Sequence, residues 1–172
     1  SQAYMVPPGG NTRERNRGRG IFAGGVASPY KDIQVMDISS GGIAQSFGDL
    51  KTATSLSGSA SSSTRMLITG SSDPAPTNII EFITIASIAS STDYGDLTVA
   101  RRRTQSLSNS TRGVHVAGSG ASPTPYFNTI DYNTIATAGD SIDFGDTDAT
   151  TLSHGGSVAS STRGIYLSLI HI

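Results

Sequence analysis

The sequence predicts an all-β repeat protein, and three observations carry this prediction. The tripeptide Ser-Thr-Arg occurs three times, with its arginines 47 and 51 residues apart (65 to 112, 112 to 163). An aromatic-Gly-Asp tripeptide recurs with nearly the same period, with glycines 47 and 50 residues apart (48 to 95, 95 to 145). Short apolar runs alternate with turn residues, and none has the spacing of an amphipathic helix. A unit of about 50 residues is typical of β-propellers and solenoids.

Each unit is predicted to contain four short strands. In the clearest unit these are residues 113–118, 128–137, 141–144 and 152–158, followed by the turn 160–163. The turns and β-forming residues recur in the same order in the two preceding units. The predicted boundaries are a partial unit at 1–19, full units at 20–65, 66–112 and 113–163, and a further start at 164–172.

Charged residues that recur in every unit are predicted to stabilise the fold. The recurring acids are Asp37, Glu81 and Asp131, and the recurring arginines are Arg19, Arg65, Arg112 and Arg163. We expect each arginine to pair with an acid of the same or the adjacent unit, partly buried between sheets. A repeated anion or sugar site is the alternative. The Gly-Asp pairs after each aromatic residue are expected to form turns.

Composition excludes several classes of function. The net charge is −1 and the isoelectric point is near 6.2, so no basic surface for nucleic acid or anionic membrane is expected. There is no cysteine, which excludes disulfides and thiolate metal sites. The sequence contains no apolar run long enough for membrane insertion.

The units resemble the kelch repeat family. Gly24-Gly25 matches the kelch double glycine, and Glu81-Phe82 and Asp131-Tyr132 match its acid–aromatic pair. Phe47, Tyr94 and Phe144 stand where kelch repeats usually have tryptophan, and Arg101 to Arg103 match the arginine that often opens the inner strand. The resemblance implies an incomplete kelch-like β-propeller of about three four-stranded blades, with partial blades at both ends. The tryptophan and most double glycines are missing, and an extended β-solenoid fibre is the alternative fold.

A closer resemblance is to divergent kelch-like arrays in large structural proteins of marine phages, carried by Phe-Gly-Asp-Leu, Thr-Ile-Ala-Thr and Ser-Thr-Arg-Gly. It implies a virion or tail-fibre protein that binds host surface glycans or other virion proteins. A bacterial kelch-like protein-interaction scaffold is the alternative. The sequence is expected to be a fragment of a longer protein; residues 167–172 resemble a translated sequencing adaptor. Open blade edges are expected to favour self-association.

A binding face is predicted where the units differ. The loops before the acidic strands and the links between units should emerge together. The candidates are Tyr30, Lys31, Arg101, Arg102, Arg103, Tyr126 and Phe127. Aromatic rings suit stacking on sugars, and arginine suits acidic groups. The alternative is that these loops vary because nothing constrains them.

No enzyme, cofactor or metal site is predicted. Asp140, Asp143, Asp146 and Asp148 match no calcium-loop spacing. His115 lies mid-strand and is expected to be packed. No Ser/His/Asp order is evident, and the copper oxidases built on kelch-type propellers need a cysteine that is absent here.

Overall fold

The fold is all-β, as predicted. The computed structural model describes residues 18–25, 31–38, 42–72, 74–121, 126–148 and 155–167, and these contain thirteen strands and no helix. The strands are β1 (Arg19–Ala23), β2 (Asp32–Asp37), β3 (Gln45–Asp49), β4 (Gly58–Ser61), β5 (Arg65–Ser71), β6 (Thr77–Thr84), β7 (Thr92–Arg101), β8 (Gln105–Ser108), β9 (Arg112–Ser119), β10 (Tyr126–Thr134), β11 (Ile142–Asp146), β12 (Gly156–Ala159) and β13 (Gly164–Leu167).

The strands form four antiparallel sheets, none of them closed. Consecutive strands pair in each sheet: β1 to β3 in the first, β4 to β7 in the second, β8 to β11 in the third, and β12 with β13 in the fourth. A bulge recurs in the middle of the first three sheets, after Ile33, Ile80 and Ile130. The sheets are therefore copies of one design.

The sheets are offset by one strand from the predicted units. β4 and β8 were predicted to close a unit, but each pairs with the strand that follows it. The Ser-Thr-Arg tripeptides therefore lie in hairpin turns inside a sheet. In each turn the side chain three residues before the arginine accepts hydrogen bonds from the backbone N–H groups of the threonine and the arginine. These side chains are Ser62, Asn109 and Ser160.

The core lies between successive sheets. Ile33, Phe47 and Leu50 of the first sheet and its link pack against Ile68 and Ile83 of the second. A second cluster lies on the opposite face of the second sheet, where it packs with Ile135 beside the third sheet. Its other members are Leu67, Ile80, Tyr94 and Leu97. Neighbouring positions on β5 thus serve two different cores, because alternate side chains leave a strand on opposite faces.

The aromatic-Gly-Asp tripeptides lie within strands and not in turns, which corrects the sequence prediction. Each glycine sits opposite the isoleucine that precedes the bulge, with positive φ. A Cβ on Gly48 would lie 2.7 Å from the carbonyl of Ala89, and one on Gly95 would lie 2.5 Å from that of Gly139. Glycine is needed here because the next sheet's turn packs directly on the backbone.

A substitution series at the ends of the equivalent strands β1, β5 and β9 tests this backbone design. The equivalent positions are Gly24, Gly70 and Ala117, with φ of 74°, 64° and 53°. The left-handed conformation costs an L-residue about 1–2 kcal/mol. Ala117 is also buried, so the relief of strain in Ala117→Gly is offset by the loss of a methyl group worth about 0.8 kcal/mol, and we expect the free energy of unfolding to change by less than about 1 kcal/mol in urea denaturation.

The matched control is Gly70→Ala, which introduces the same strain together with a clash against the Arg101 carbonyl. It should destabilise the protein by several times more than Ala117→Gly changes its stability. A loss of stability in Ala117→Gly of clearly more than about 1 kcal/mol would show that Ala117 is not strained.

Candidate binding site at the link end of the sheets

The segments that join the sheets (residues 50–57 and 101–104) and the described residues beside the β9–β10 loop (119–121 and 126–127) lie at one end of the array, which we call the link end. The N–H of Arg103 donates to the carbonyl of Leu56 (2.7 Å), so consecutive links contact each other. Arg102 forms a two-way backbone bridge with Ser119, 2.9 Å in each direction. Ser119 in turn pairs with Tyr126 across β9 and β10. The described residues that flank the β9–β10 loop therefore lie next to the link at Arg102.

Arg101, a predicted binding residue, lies in the interior. Its Nη2 donates to Oδ2 of Asp131 at 2.9 Å, and both side chains are 0% exposed. Burial lowers the pKa of Arg101, while the charge of Asp131 acts in the opposite direction. Arg101 is the last residue of β7, and its side chain enters the space between the second and third sheets. It therefore acts inside the fold, and this corrects its placement on the binding face.

Glu81 binds the link that precedes its sheet, and Asp131 binds the last strand, β7, of the sheet before its own. Glu81 accepts hydrogen bonds from the backbone N–H groups of Lys51 (3.1 Å) and Thr52 (2.8 Å) and from the hydroxyl of Ser91. Asp131 accepts from the N–H of Thr98 (3.2 Å) in the same way. Each carboxylate thus ties its sheet to the preceding one through backbone donors.

Asp37 is not the third member of this set. In the strand pairing of the first sheet Arg19 lies opposite Asp37, and the equivalent Arg65 of the second sheet lies opposite Thr84. Gln34 lies opposite Phe22, in the same way that Glu81 lies opposite Ile68. Gln34 therefore occupies the position of Glu81 and Asp131, directly after the bulge. The apolar-acid-apolar alignment placed Asp37 three residues away from its true equivalents.

In the described residues Glu81 and Asp131 do not pair with the repeated arginines, which corrects the predicted pairing for these two acids. Arg19 Nη1 donates to the carbonyl of Ile85 (2.6 Å). Arg65 Nη1 donates to that of Ala136 (2.7 Å), and its guanidinium lies 4.6 Å from the centre of the Phe82 ring. Arg112 lies over Tyr132 at 5.0 Å, and Arg163 is exposed. The first two arginines hold successive sheets together through carbonyl oxygens.

His115 is fully buried, as predicted, in a polar cluster that the sequence did not reveal. Its Nε2 contacts Oδ1 of Asn133 (3.0 Å), and its Nδ1 contacts the Ser106 hydroxyl (2.8 Å). The pKa of His115 is lowered to about 3: burial is the largest cause, the nearby Arg101 charge acts in the same direction, and the Asn133 contact opposes both. The imidazole is therefore neutral at physiological pH.

The Ser106–His115–Asn133 chain has the elements of a nucleophile, base and orienting group, yet it leaves no room for a substrate. Ser106 Oγ packs against the backbone of Gly58, where an added Cβ would clash with it, and it contacts the Thr69 hydroxyl at 3.2 Å. A base with a pKa near 3 is also far from the value that acid–base chemistry at neutral pH requires. The cluster is consequently a packing element between two sheets.

The remaining predicted binding residues stay close to the surface of the link end. Arg102 and Arg103 are half-buried, Tyr126 is 42% exposed, and Phe127 is half-buried. Arg102 Nη1 donates to the Ser72 hydroxyl at 3.1 Å. Lys31 is exposed and donates to the carbonyl of Lys51, two sheets away from Tyr126. Tyr30 lies outside the described residues.

Several buried polar atoms of the link end have no hydrogen-bond partner within the described structure. They are Nε and Nη1 of Arg101, Nε of Arg102, Nε of Arg103, Oγ1 of Thr104 and Oγ of Ser119. Thr104 Oγ1 and the Arg101 side chain both lie within contact distance of a Cβ built on Gly118. Buried donors of this kind normally find an acceptor, so the link end has an unusual surplus of N–H and O–H groups.

The aspartates of the third sheet bind backbone groups. Asp140 accepts from the N–H of Asp96, and Asp143 accepts from that of Gly145, each at 3.0 Å. Over the ranges that the structure describes, no group of three metal-ligating side chains converges. The same ranges hold no helix capable of crossing a membrane.

No protein-family model matches this sequence, and no curated protein is significantly similar to it. The site must therefore be interpreted from its own geometry.

Proposed function

We propose that this chain is a non-catalytic repeat module that binds acidic carbohydrate at the link end. One observation carries the proposal: Arg102, Ser119 and Tyr126 are neighbours across two strand pairings. This arrangement places the exposed ring of Tyr126 two strands away from the half-buried Arg102, on the same face of the sheet, with the buried Ser119 between them. The ring suits the apolar face of a sugar, and the guanidinium suits a carboxylate or sulfate on it.

The charge and donor balance of the link end supports an acidic ligand. Lys31, Arg102 and Arg103 lie at this end, although the chain as a whole carries a net charge of −1. Arg102 and Arg103 are half-buried, so each guanidinium remains partly open to solvent. An anionic ligand supplies a charge partner for these two groups.

The proposed architecture is an open kelch-like β-propeller, with each sheet a blade. Its support is the succession of first strands, because β4 lies against β8 and β8 against β12. The N–H of Ser61 donates to the Ser108 hydroxyl (3.1 Å), and the Ser157 hydroxyl donates to the carbonyl of Ser106 (2.6 Å). Inner strands around a propeller axis would be arranged in this way. The resemblance to phage arrays suggests a virion fibre as the setting, with a host surface glycan as the ligand.

The first test is a titration with uronic-acid oligosaccharides, followed by calorimetry. We expect saturable binding that Tyr126→Ala weakens by about tenfold or more, since one aromatic–sugar contact contributes on the order of 1–2 kcal/mol. Arg102→Gln should weaken binding of the acidic oligosaccharide and leave that of its neutral counterpart unchanged.

Arg163→Ala is the matched control, because Arg163 is an exposed arginine at the opposite end of the strands. Its affinity should equal that of the parent. An affinity that is insensitive to Tyr126→Ala, or an equal loss in the Arg163 variant, would show that the link end is not the binding site.

A further inference from the structure

The third sheet presents an apolar face beside the fourth sheet. Leu107, Val114, Ile130, Phe144 and Tyr166 line a groove of about 350 Å³ there. Phe144 is 57% exposed, whereas its equivalents Phe47 and Tyr94 are 1% and 3% exposed. The same position is thus a core residue twice and a surface residue once.

The two buried equivalents show what covers this position. The turn between β6 and β7 packs on the backbone at Gly48, next to Phe47. The turn between β10 and β11 covers Tyr94, whose hydroxyl donates to the carbonyls of Thr134 and Thr137, both at 2.6 Å. In both cases the cover includes the turn between the third and fourth strands of the following sheet.

Polar groups around the groove repeat the pattern of the covered interfaces. Arg65 lies over Phe82 while it donates to a carbonyl of the next sheet, and Arg112 already lies over the equivalent Tyr132. Asp148 occupies the position of Lys51 and Thr98, whose N–H groups donate to the carboxylates Glu81 and Asp131. The groove therefore suits an occupant that places a carbonyl oxygen near the guanidinium of Arg112 and a carboxylate near the backbone N–H of Asp148.

The fourth sheet defines where that occupant would attach. β12 and β13 take the places of the first and second strands, and β13 is paired with β12 along Gly164–Leu167. In the complete second and third sheets, the second strand pairs on both edges. Among the described strands, none lies on the other edge of β13, and this edge borders the groove.

We propose that this groove binds a β-hairpin of the repeat's own third-and-fourth-strand type, by strand addition to β13. The hairpin covers Phe144, presents a carboxylate to the backbone at Asp148, and accepts a hydrogen bond from Arg112. Backbone pairing supplies affinity, and the side-chain contacts supply specificity. The first sheet of a second copy is a poorer occupant, because its β1 would need the place that β13 already holds.

A synthetic peptide with the sequence of residues 126–148 tests the proposal on the full chain. We expect saturable binding in a ¹⁵N NMR titration, with shifts in β13 and β11. Phe144→Ser should weaken binding at least tenfold, and Arg112→Ala should weaken it several-fold. Phe22→Ser is the matched control, since Phe22 is equally exposed at 57% but lies on the first sheet. The same peptide with the substitution Asp131→Ala should bind less tightly than the parent peptide.

A second measurement decides the matter if the free peptide does not form a hairpin. A copy of residues 117–148 placed directly after Leu167 should fold as the rest of the fourth sheet, raise the melting temperature and protect the β13 amides from hydrogen exchange. An unchanged melting temperature with unprotected β13 amides would overturn the proposal. It would equally be overturned if the parent chain self-associated in sedimentation and Phe144→Ser abolished that association, because the occupant would then be a second copy.

Discussion

Asp131→Ala is expected to be the most destabilising single substitution in the array, at about 3–5 kcal/mol. It removes the partner of Arg101 and leaves that guanidinium fully buried, beside two Thr98 donors that also lose their acceptor. For a chain of this size the melting temperature should fall by on the order of 10 °C. Thermal unfolding followed by circular dichroism measures this directly.

Two variants separate the buried charge from the loss of a carboxylate. Asp140→Ala removes an exposed aspartate with a single backbone hydrogen bond, and it should cost no more than about 1 kcal/mol. The double variant Arg101→Met with Asp131→Leu should regain most of the lost stability, since neither charge is then left buried alone. An Asp131→Ala effect no larger than that of Asp140→Ala would contradict the buried ion pair.

Acidification from pH 7.5 to pH 5 is expected to lower the free energy of unfolding by about 2 kcal/mol through His115. The pKa of His115 is about 3 in the folded chain, below the 6.5 of an exposed histidine. Between these values the unfolded chain binds a proton that the folded chain does not. This contribution to stability is therefore complete above pH 6.5 and is lost progressively as the pH falls towards 3.

His115→Gln isolates this effect, because glutamine can contact Ser106 and Asn133 but does not titrate. Urea denaturation at several pH values should give a flat profile for the variant over this window and a sloping one for the parent. The other two histidines, His154 and His171, are present in both proteins and cancel in the comparison. Identical slopes would show that His115 binds its proton normally in the folded state.

The sequence predicted the all-β class because two tripeptides marked the same period independently. It did not predict the division into sheets, since a period fixes the length of a unit and not where a sheet begins. β4 and β8 pair with the strands after them because the turns at Ser62 and Asn109 form tight hairpins. The polar residue three places before each arginine was the available signal for those turns.

The predicted pairing of Glu81 and Asp131 with the repeated arginines was wrong for a physical reason. An arginine can satisfy its donors with carbonyl oxygens, as Arg65 does, and a carboxylate can be satisfied by backbone N–H groups, as Glu81 is. Opposite charges at matching intervals therefore need not meet. Asp37 was aligned with the wrong residues because the equivalent acids directly follow the bulge, and only the strand pairing shows where the bulge lies.

The candidate site was predicted in part. Arg101, Arg102 and Arg103 are adjacent in sequence but differ in environment, because Arg101 ends a strand and enters the core while the next two residues form the link. Loop position brought Arg102 and Tyr126 to the same end of the sheets, as expected. The bridge through Ser119 that makes them neighbours is a tertiary contact, and no local pattern indicates it.

An NMR titration of the ¹⁵N-labelled chain with a uronic-acid oligosaccharide tests the proposed function most directly. We expect the largest amide shifts at Arg102, Arg103, Ser119 and Tyr126, saturating with increasing ligand and diminishing in high salt. Shifts confined to other parts of the sheets, or no saturable shifts at all, would contradict carbohydrate binding at the link end.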